Sequence, residues 1–171
     1  MKWIGIFVLF AAGAVTLSSC QKDASNGAIA ADPIIPTRAQ PKLATIKLWI
    51  GSEEMITEMA VTEVQERTGM MFRTNMAENE GMIFVFAQPE RVSFWMMNTM
   101  LPLSAAYISP EGEILEIHDL QPHDTNSVVA GTDKVQFVLE TPQGWFKRHS
   151  IKEGTSINTE KGSLQKVFLG R

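Results

Sequence analysis

Between Thr45 and Ile157 the apolar residues come in short runs with the period of a strand, and no stretch carries the sustained 3.6-residue stripe of a long helix. Thr45–Ile50 puts Ile46, Leu48 and Ile50 on one face, and Met55–Val61 alternates again after the Gly51-Ser52 turn, so the two read as a hairpin. Gly81–Phe86 is apolar throughout, as expected of a strand covered on both faces. Gln88-Pro89-Glu90 is expected to turn the chain into a strand over Val92–Met97. Ala105–Ile108 and Glu113–Asp119 flank Ser109-Pro110-Glu111-Gly112, whose Pro and Gly stand where a type I turn favours them. Val135–Glu140 alternates with Val135, Phe137 and Leu139 inward, and Thr155–Ile157 is the last strand. Thr62-Glu63-Val64-Gln65 fits a capping box that opens a short helix to about Met71, and a second helix or turn lies around Gly144–His149. About eight short strands with one or two small helices make a mainly β fold, expected to be a β-sandwich or semi-closed barrel. Asn158–Arg171 reads as a tail, although Val167, Phe168 and Leu169 could dock on an edge.

The N-terminal region is of another kind. Trp3–Leu17 is an apolar run behind Lys2, shorter than the roughly 20 residues a membrane-spanning helix needs. It ends in Leu17-Ser18-Ser19-Cys20, which resembles the bacterial lipobox: a branched apolar residue and two small ones before a lipid-bearing cysteine. The resemblance implies a signal peptide over residues 1–20, a lipidated Cys20 and an exported protein held at the cell envelope. Residues 21–42 mix Ala, Ser and Asn with Pro33, Pro36 and Pro41 and show no apolar period, so they read as a flexible tether spanning roughly 25 Å. The β-rich domain is then 43–157, and 158–171 the tail.

Cys20 is the one cysteine, so the domain has neither an internal disulfide nor a thiol pair for zinc or redox work. The formal charge of −4, with no Lys/Arg stripe, removes the counterion-release term that drives nucleic-acid binding. Nucleic acid is therefore not an expected partner.

Four blocks resemble the family known as domain of unknown function 192. They are Gly69-Met70-Met71-Phe72-Arg73; Gly81–Phe86; Ser93-Phe94-Trp95-Met96-Met97-Asn98-Thr99 running into Pro102-Leu103; and Val138-Leu139-Glu140 followed by Gly144-Trp145 and Ile151–Gly154. The resemblance implies a small, mainly β domain common in exported bacterial proteins, with no assigned activity. Three positions depart from the family pattern: Met97 where a Lys is usual, Ser104 where an Asp is frequent, and Thr155 at a third acidic position. The Lys and Asp would be lost together if they pair in relatives, since removing one alone strands a charge.

Three groups of residues could carry chemistry. His118-Asp119-Leu120-Gln121-Pro122-His123-Asp124 puts two imidazoles and two carboxylates at a strand end and its following loop, suited to a metal or a general base. Against that stands the plainer reading of an interfacial His118 and a turn-capping Asp124, with no spaced zinc signature present. Trp95, Asn98 and Thr99 could offer contacts at a pocket mouth, or Trp95 could fill core while Asn98 and Thr99 satisfy backbone groups at a corner. Met70, Met71, Met76, Met82, Met96, Met97 and Met100 could hold Cu(I), or serve as ordinary core filler. No nucleophile elbow or phosphate loop is present. The expectation is a lipid-anchored, non-enzymatic module that binds a small ligand or an envelope protein and needs no cofactor. The alternative is a metal-dependent hydrolase built on His118, Asp119, His123 and Asp124, with His118 and His123 as ligands.

Overall fold

The computed structural model describes residues 35–170. The signal-peptide reading and Cys20 lie outside the described residues. The first hairpin forms as its alternation requires: β1 (Thr45–Ile50) pairs antiparallel with β2 (Glu53–Ala60), burying Ile46, Leu48, Ile50 and Met55. The capping box forms too: Thr62 Oγ1 accepts from the Gln65 N–H, Gln65 Oε1 accepts from the Thr62 N–H, and α1 (Glu63–Thr68) follows. This helix is the crossover that lets β3 (Glu80–Glu90) lie parallel to β2, since parallel neighbours cannot be joined by a tight turn.

After β4 (Ser93–Phe94) come β5 (Leu103–Ile108), β6 (Ile114–Leu120), β7 (Val128–Val129) and β8 (Val135–Pro142). A short α2 (Trp145–Arg148), β9 (Ile157–Thr159), β10 (Gly162–Ser163) and α3 (Leu164–Leu169) complete the chain. Eight strands form one sheet in the order β10-β9-β1-β2-β3-β8-β5-β6, and β4 with β7 forms a separate two-stranded ribbon.

The mainly β expectation holds, but the sheet closes into neither a sandwich nor a barrel. Its end strands share no ladder; one isolated bridge, Glu113 to Ser156, draws the β5–β6 turn toward the segment before β9. Helices and the ribbon cover the two faces where a second sheet was expected. Alternation specifies that a strand is half-buried, and it does not name the element that buries it.

Three local expectations also change. Gln88-Pro89-Glu90 does not end the strand: β3 runs through it with a register shift between Val85 and Glu90, and Pro89 stands in that irregular, exposed stretch where no ladder donor is needed. Of Val92–Met97 only Ser93–Phe94 is strand. Beyond it the Met96 N–H bonds to the Asp124 carbonyl, the Thr99 N–H turns back onto the Met96 carbonyl, and Asn98 takes φ 55°. The expected tail folds: Asn158 and Thr159 finish β9, β10 follows, and α3 buries Leu164 with Val167, Phe168 and Leu169 against the core. The last residues of the expected tether are likewise tied down, since the Gln40 side-chain amide donates to the Gln65 and Gly69 carbonyls at the end of α1.

The sheet thus has two cores. On one face Leu48, Ile50, Ile83, Ala106, Phe137 and Leu139 pack with Trp145 and Phe146 of α2 and with Leu164 of α3. On the other Met82, Phe84, Ala105, Tyr107 and Val138 pack with Met70 after α1 and with Val92 and Met96 around the ribbon.

Candidate functional site

The second face contains a cavity of about 350 Å³ between α1 with its following turn, β3, and the segment around β4. Each wall follows from a local feature. Gly69 ends α1 at φ 46°, and a Cβ there would meet the Phe84 ring at 3.3 Å, so only glycine lets the turn lie this close to β3. The turn then folds back through a Met71 N–H bond to the Thr68 carbonyl and a Phe72 N–H bond to the Asn98 carbonyl, presenting Met70 and Met71 to the cavity. Opposite, Phe94 stands edge-on to Phe84, with ring centroids 5.0 Å apart, and to Phe86 at 6.4 Å. Trp95 lies at the mouth, 41% exposed. Glu63, Glu66 and Glu90 stand around the cavity with Arg67 and Arg91. Crowding by Glu90 and Glu63 adds to partial burial in raising the Glu66 pKa.

Glu140 lines the same cavity from β8. Only 4% of it is exposed, and its Oε2 is buried with no hydrogen-bond partner among the described residues. Taking a carboxylate out of water without compensation is costly, so the group answers by holding its proton. Burial pushes the Glu140 pKa up to about 8. Sequence reading missed this residue. In Val135–Glu140 the odd positions are apolar, and that alternation assigns Gln136, Val138 and Glu140 to an outer face. β8, however, sits between β3 and β5 and is buried on both sides along Val135–Thr141. The available signal was Val138 beside Glu140: an apolar residue on the supposed outer face.

The candidates named from sequence divide into two sets. Trp95 and Thr99 line the cavity, Trp95 as an exposed residue and not as core, and Thr99 buried with its hydroxyl donating to the Met97 carbonyl at 3.2 Å. Asn98 is half-buried and serves the corner through its left-handed backbone and its carbonyl. None of the four His and Asp candidates lines the cavity. His118 and Asp119 are strand neighbours and so point to opposite faces. His118 bonds to Glu116 at 2.9 Å against the Tyr107 ring, whereas Asp119 accepts from the Ser104 hydroxyl across the β5–β6 pair. His123 is exposed, with φ 62° and its N–H on the Thr99 carbonyl; Asp124 accepts from the Asn126 N–H and side-chain amide in a local turn. Among the described residues no group of three or more His, Cys, Asp or Glu side chains is placed to hold a metal ion, which counts against the hydrolase alternative. Of the methionines, Met70 and Met71 reach the cavity, and Met82 and Met96 are buried core.

The lining draws on Gly69–Met71, on Phe84 and Phe86, on Phe94, Trp95 and Thr99, and on Glu140, one contribution from each of the four sequence blocks. The fold is thus a small domain of one open sheet, with a cavity on one face walled by all four blocks. The chain belongs to the DUF192 family, described as "Uncharacterized ACR", whose profile matches residues 46–159. It is similar to a crystallised Sinorhizobium meliloti 1021 protein named as a candidate transcription regulator, at 31% identity over 71% of this chain and 98% of that one, with a TM-score of 0.65. It is also similar to a protein of unknown function from Novosphingobium aromaticivorans DSM 12444, at 28% identity over 75% of this chain and 94% of that one, with a TM-score of 0.62. No curated protein matches the chain.

Proposed function

We propose that this protein is a lipid-anchored, non-enzymatic module of the cell envelope that binds a small ligand in the cavity floored by Glu140. Glu140 carries the proposal. A buried carboxyl with an unpartnered oxygen costs stability, and in a cavity wall a bound molecule is the partner that would offset that cost. The size of the cavity and its aromatic walls suit a ligand of modest size held by a few polar groups. The anchor in this reading is Cys20, and residues 21–42 are the tether that links it to the domain.

The test is a fragment titration followed through methionine methyl and tryptophan indole NMR signals. Shifts confined to Met70, Met71 and Trp95 are expected for at least one fragment class. Saturable shifts confined to surfaces away from the cavity, or none from a chemically broad library, would remove the cavity from the function. The anchor is tested separately: Cys20→Ser should abolish incorporation of labelled lipid into the protein and block lipoprotein maturation.

A further inference from the structure

We propose that the cavity is built for a small organic cation bearing an ammonium group, seated between Glu140 and the aromatic wall. The inference rests on the cavity-binding reading and adds the chemical class of the ligand.

The first support is the supply of hydrogen-bonding groups. Besides Glu140, the buried polar side chains lining the cavity are Thr68 and Thr99, and both hydroxyl protons are already committed, Thr68 to the Val64 carbonyl at 2.7 Å and Thr99 to the Met97 carbonyl at 3.2 Å. Both can still accept, as can Glu140, whose Oε2 has no partner among the described residues. With both hydroxyl protons committed, the buried threonines offer only acceptors, and Glu140 becomes a full acceptor once a cation takes the place of its proton, so the buried part of the lining suits a ligand that carries positive charge.

The second is charge. Four glutamates and two arginines line the cavity; Arg67 and Glu63 pair at 2.5 Å and cancel, which leaves Glu66, Glu90 and the buried Glu140 against Arg91. The field at the mouth therefore attracts cations and repels anions.

The third is the wall. Phe84, Phe86, Phe94 and Trp95 line the cavity together, and Trp95 keeps much of its surface exposed at the mouth. Aromatic faces beside carboxylates are the usual means of holding ammonium groups. A cation seated within roughly 4–6 Å of Glu140 would favour the ionised carboxylate that burial alone disfavours. On the elements packed against Glu140 the other charged or titratable groups are Glu80 on β3, paired with Lys42 at 3.2 Å, Tyr107 on β5, the half-buried Glu58–Arg73 pair at 2.9 Å, and the lining residues already named.

Choline and 3,3-dimethyl-1-butanol have the same shape and differ in charge, so they isolate the cation. The mature chain in a mild non-ionic detergent is titrated with each by calorimetry and by NMR. Choline should bind at least tenfold more tightly than the alcohol, with shifts at Trp95 and Met71. Glu140→Gln should lower choline affinity at least tenfold and leave the alcohol unchanged; Trp95→Ala should lower it several-fold. If Glu140→Gln is poorly folded, Glu66→Gln on the exposed helix serves instead and should weaken choline two- to fivefold. Equal binding of the two probes overturns the cation and leaves the cavity reading intact. So does binding of neither probe while fragments still shift the cavity signals. Failure of the fragment titration removes both readings.

Discussion

The two faces of the eight-stranded sheet are made by the same strands and finished differently. β8 sends Phe137 and Leu139 into one core and Val138 and Glu140 into the other. The first face is covered by α2 and α3, whose Trp145, Phe146 and Leu164 are buried against it. The second is covered by a six-residue helix, a turn and a two-stranded ribbon, which leave a cavity and a buried carboxyl oxygen without a partner. The contrast separates two uses of one architecture. The filled face supplies stability through close packing. The unfilled face gives up some of that stability to keep a polar group available.

The comparison is tested first where the filled face is densest. Trp145 is fully buried, stacked on His149 at 4.4 Å and edge-on to Phe146. Trp145→Ala should cost about 3–5 kcal/mol, read as a lowered urea midpoint with little change in slope. A loss below about 1 kcal/mol would mean that this face does not carry the stability.

The next effect separates the faces by pH. The folded Glu140 carboxyl holds its proton to about pH 8, whereas the ordinary value is 4.5. Between those limits the folded state binds more protons than the unfolded one, so this group makes stability fall as pH rises through the window. From pH 5 to pH 8 the expected loss is on the order of 3–4 kcal/mol. Glu140→Gln should abolish that part of the slope, and urea midpoints measured at each pH for both proteins will show it. Parallel profiles would place Glu140 in contact with water or with a partner.

A smaller effect probes how little slack the filled face has. A Cβ on Gly81 would lie 2.7 Å from the Met55 sulfur and 2.9 Å from the Glu140 carbonyl oxygen. The thioether can move and the backbone cannot, so Gly81→Ala should cost about 1–3 kcal/mol. A neutral outcome would show that β3 and β8 can separate at no cost.

The smallest effect belongs to the mouth of the cavity. Trp95→Ala should leave the urea midpoint within about 0.5 kcal/mol of wild type, as for most exposed positions. A loss comparable to that of Trp145→Ala would make Trp95 core and close the cavity it is said to border.

What could be read in advance depended on the range of the interactions involved. The capping box at Thr62 and Gln65 and the strand at Thr45–Ile50 were legible because each is encoded within a few residues. The strand expected over Val92–Met97 shrank to two residues because the Asp124 carbonyl, far along the chain, takes the Met96 N–H. Trp95 and Thr99 could be named as candidates from residue type. Their common target, Glu140, could not, because its burial depends on β3 and β5 flanking β8.

The sequence by itself determined that this chain makes short strands and little helix, where its first hairpin and first helix begin, and which family it resembles. Those properties rest on backbone period, turn chemistry and local capping, all of which act over a few neighbouring residues. Only the tertiary structure decided that the sheet stays open, that the segment after Ile157 folds onto it, and that Glu140 is buried in a cavity wall. Strand pairing joins residues far apart in sequence, and a side chain's electrostatic state depends on everything packed around it. Neither can be read from the residues on either side.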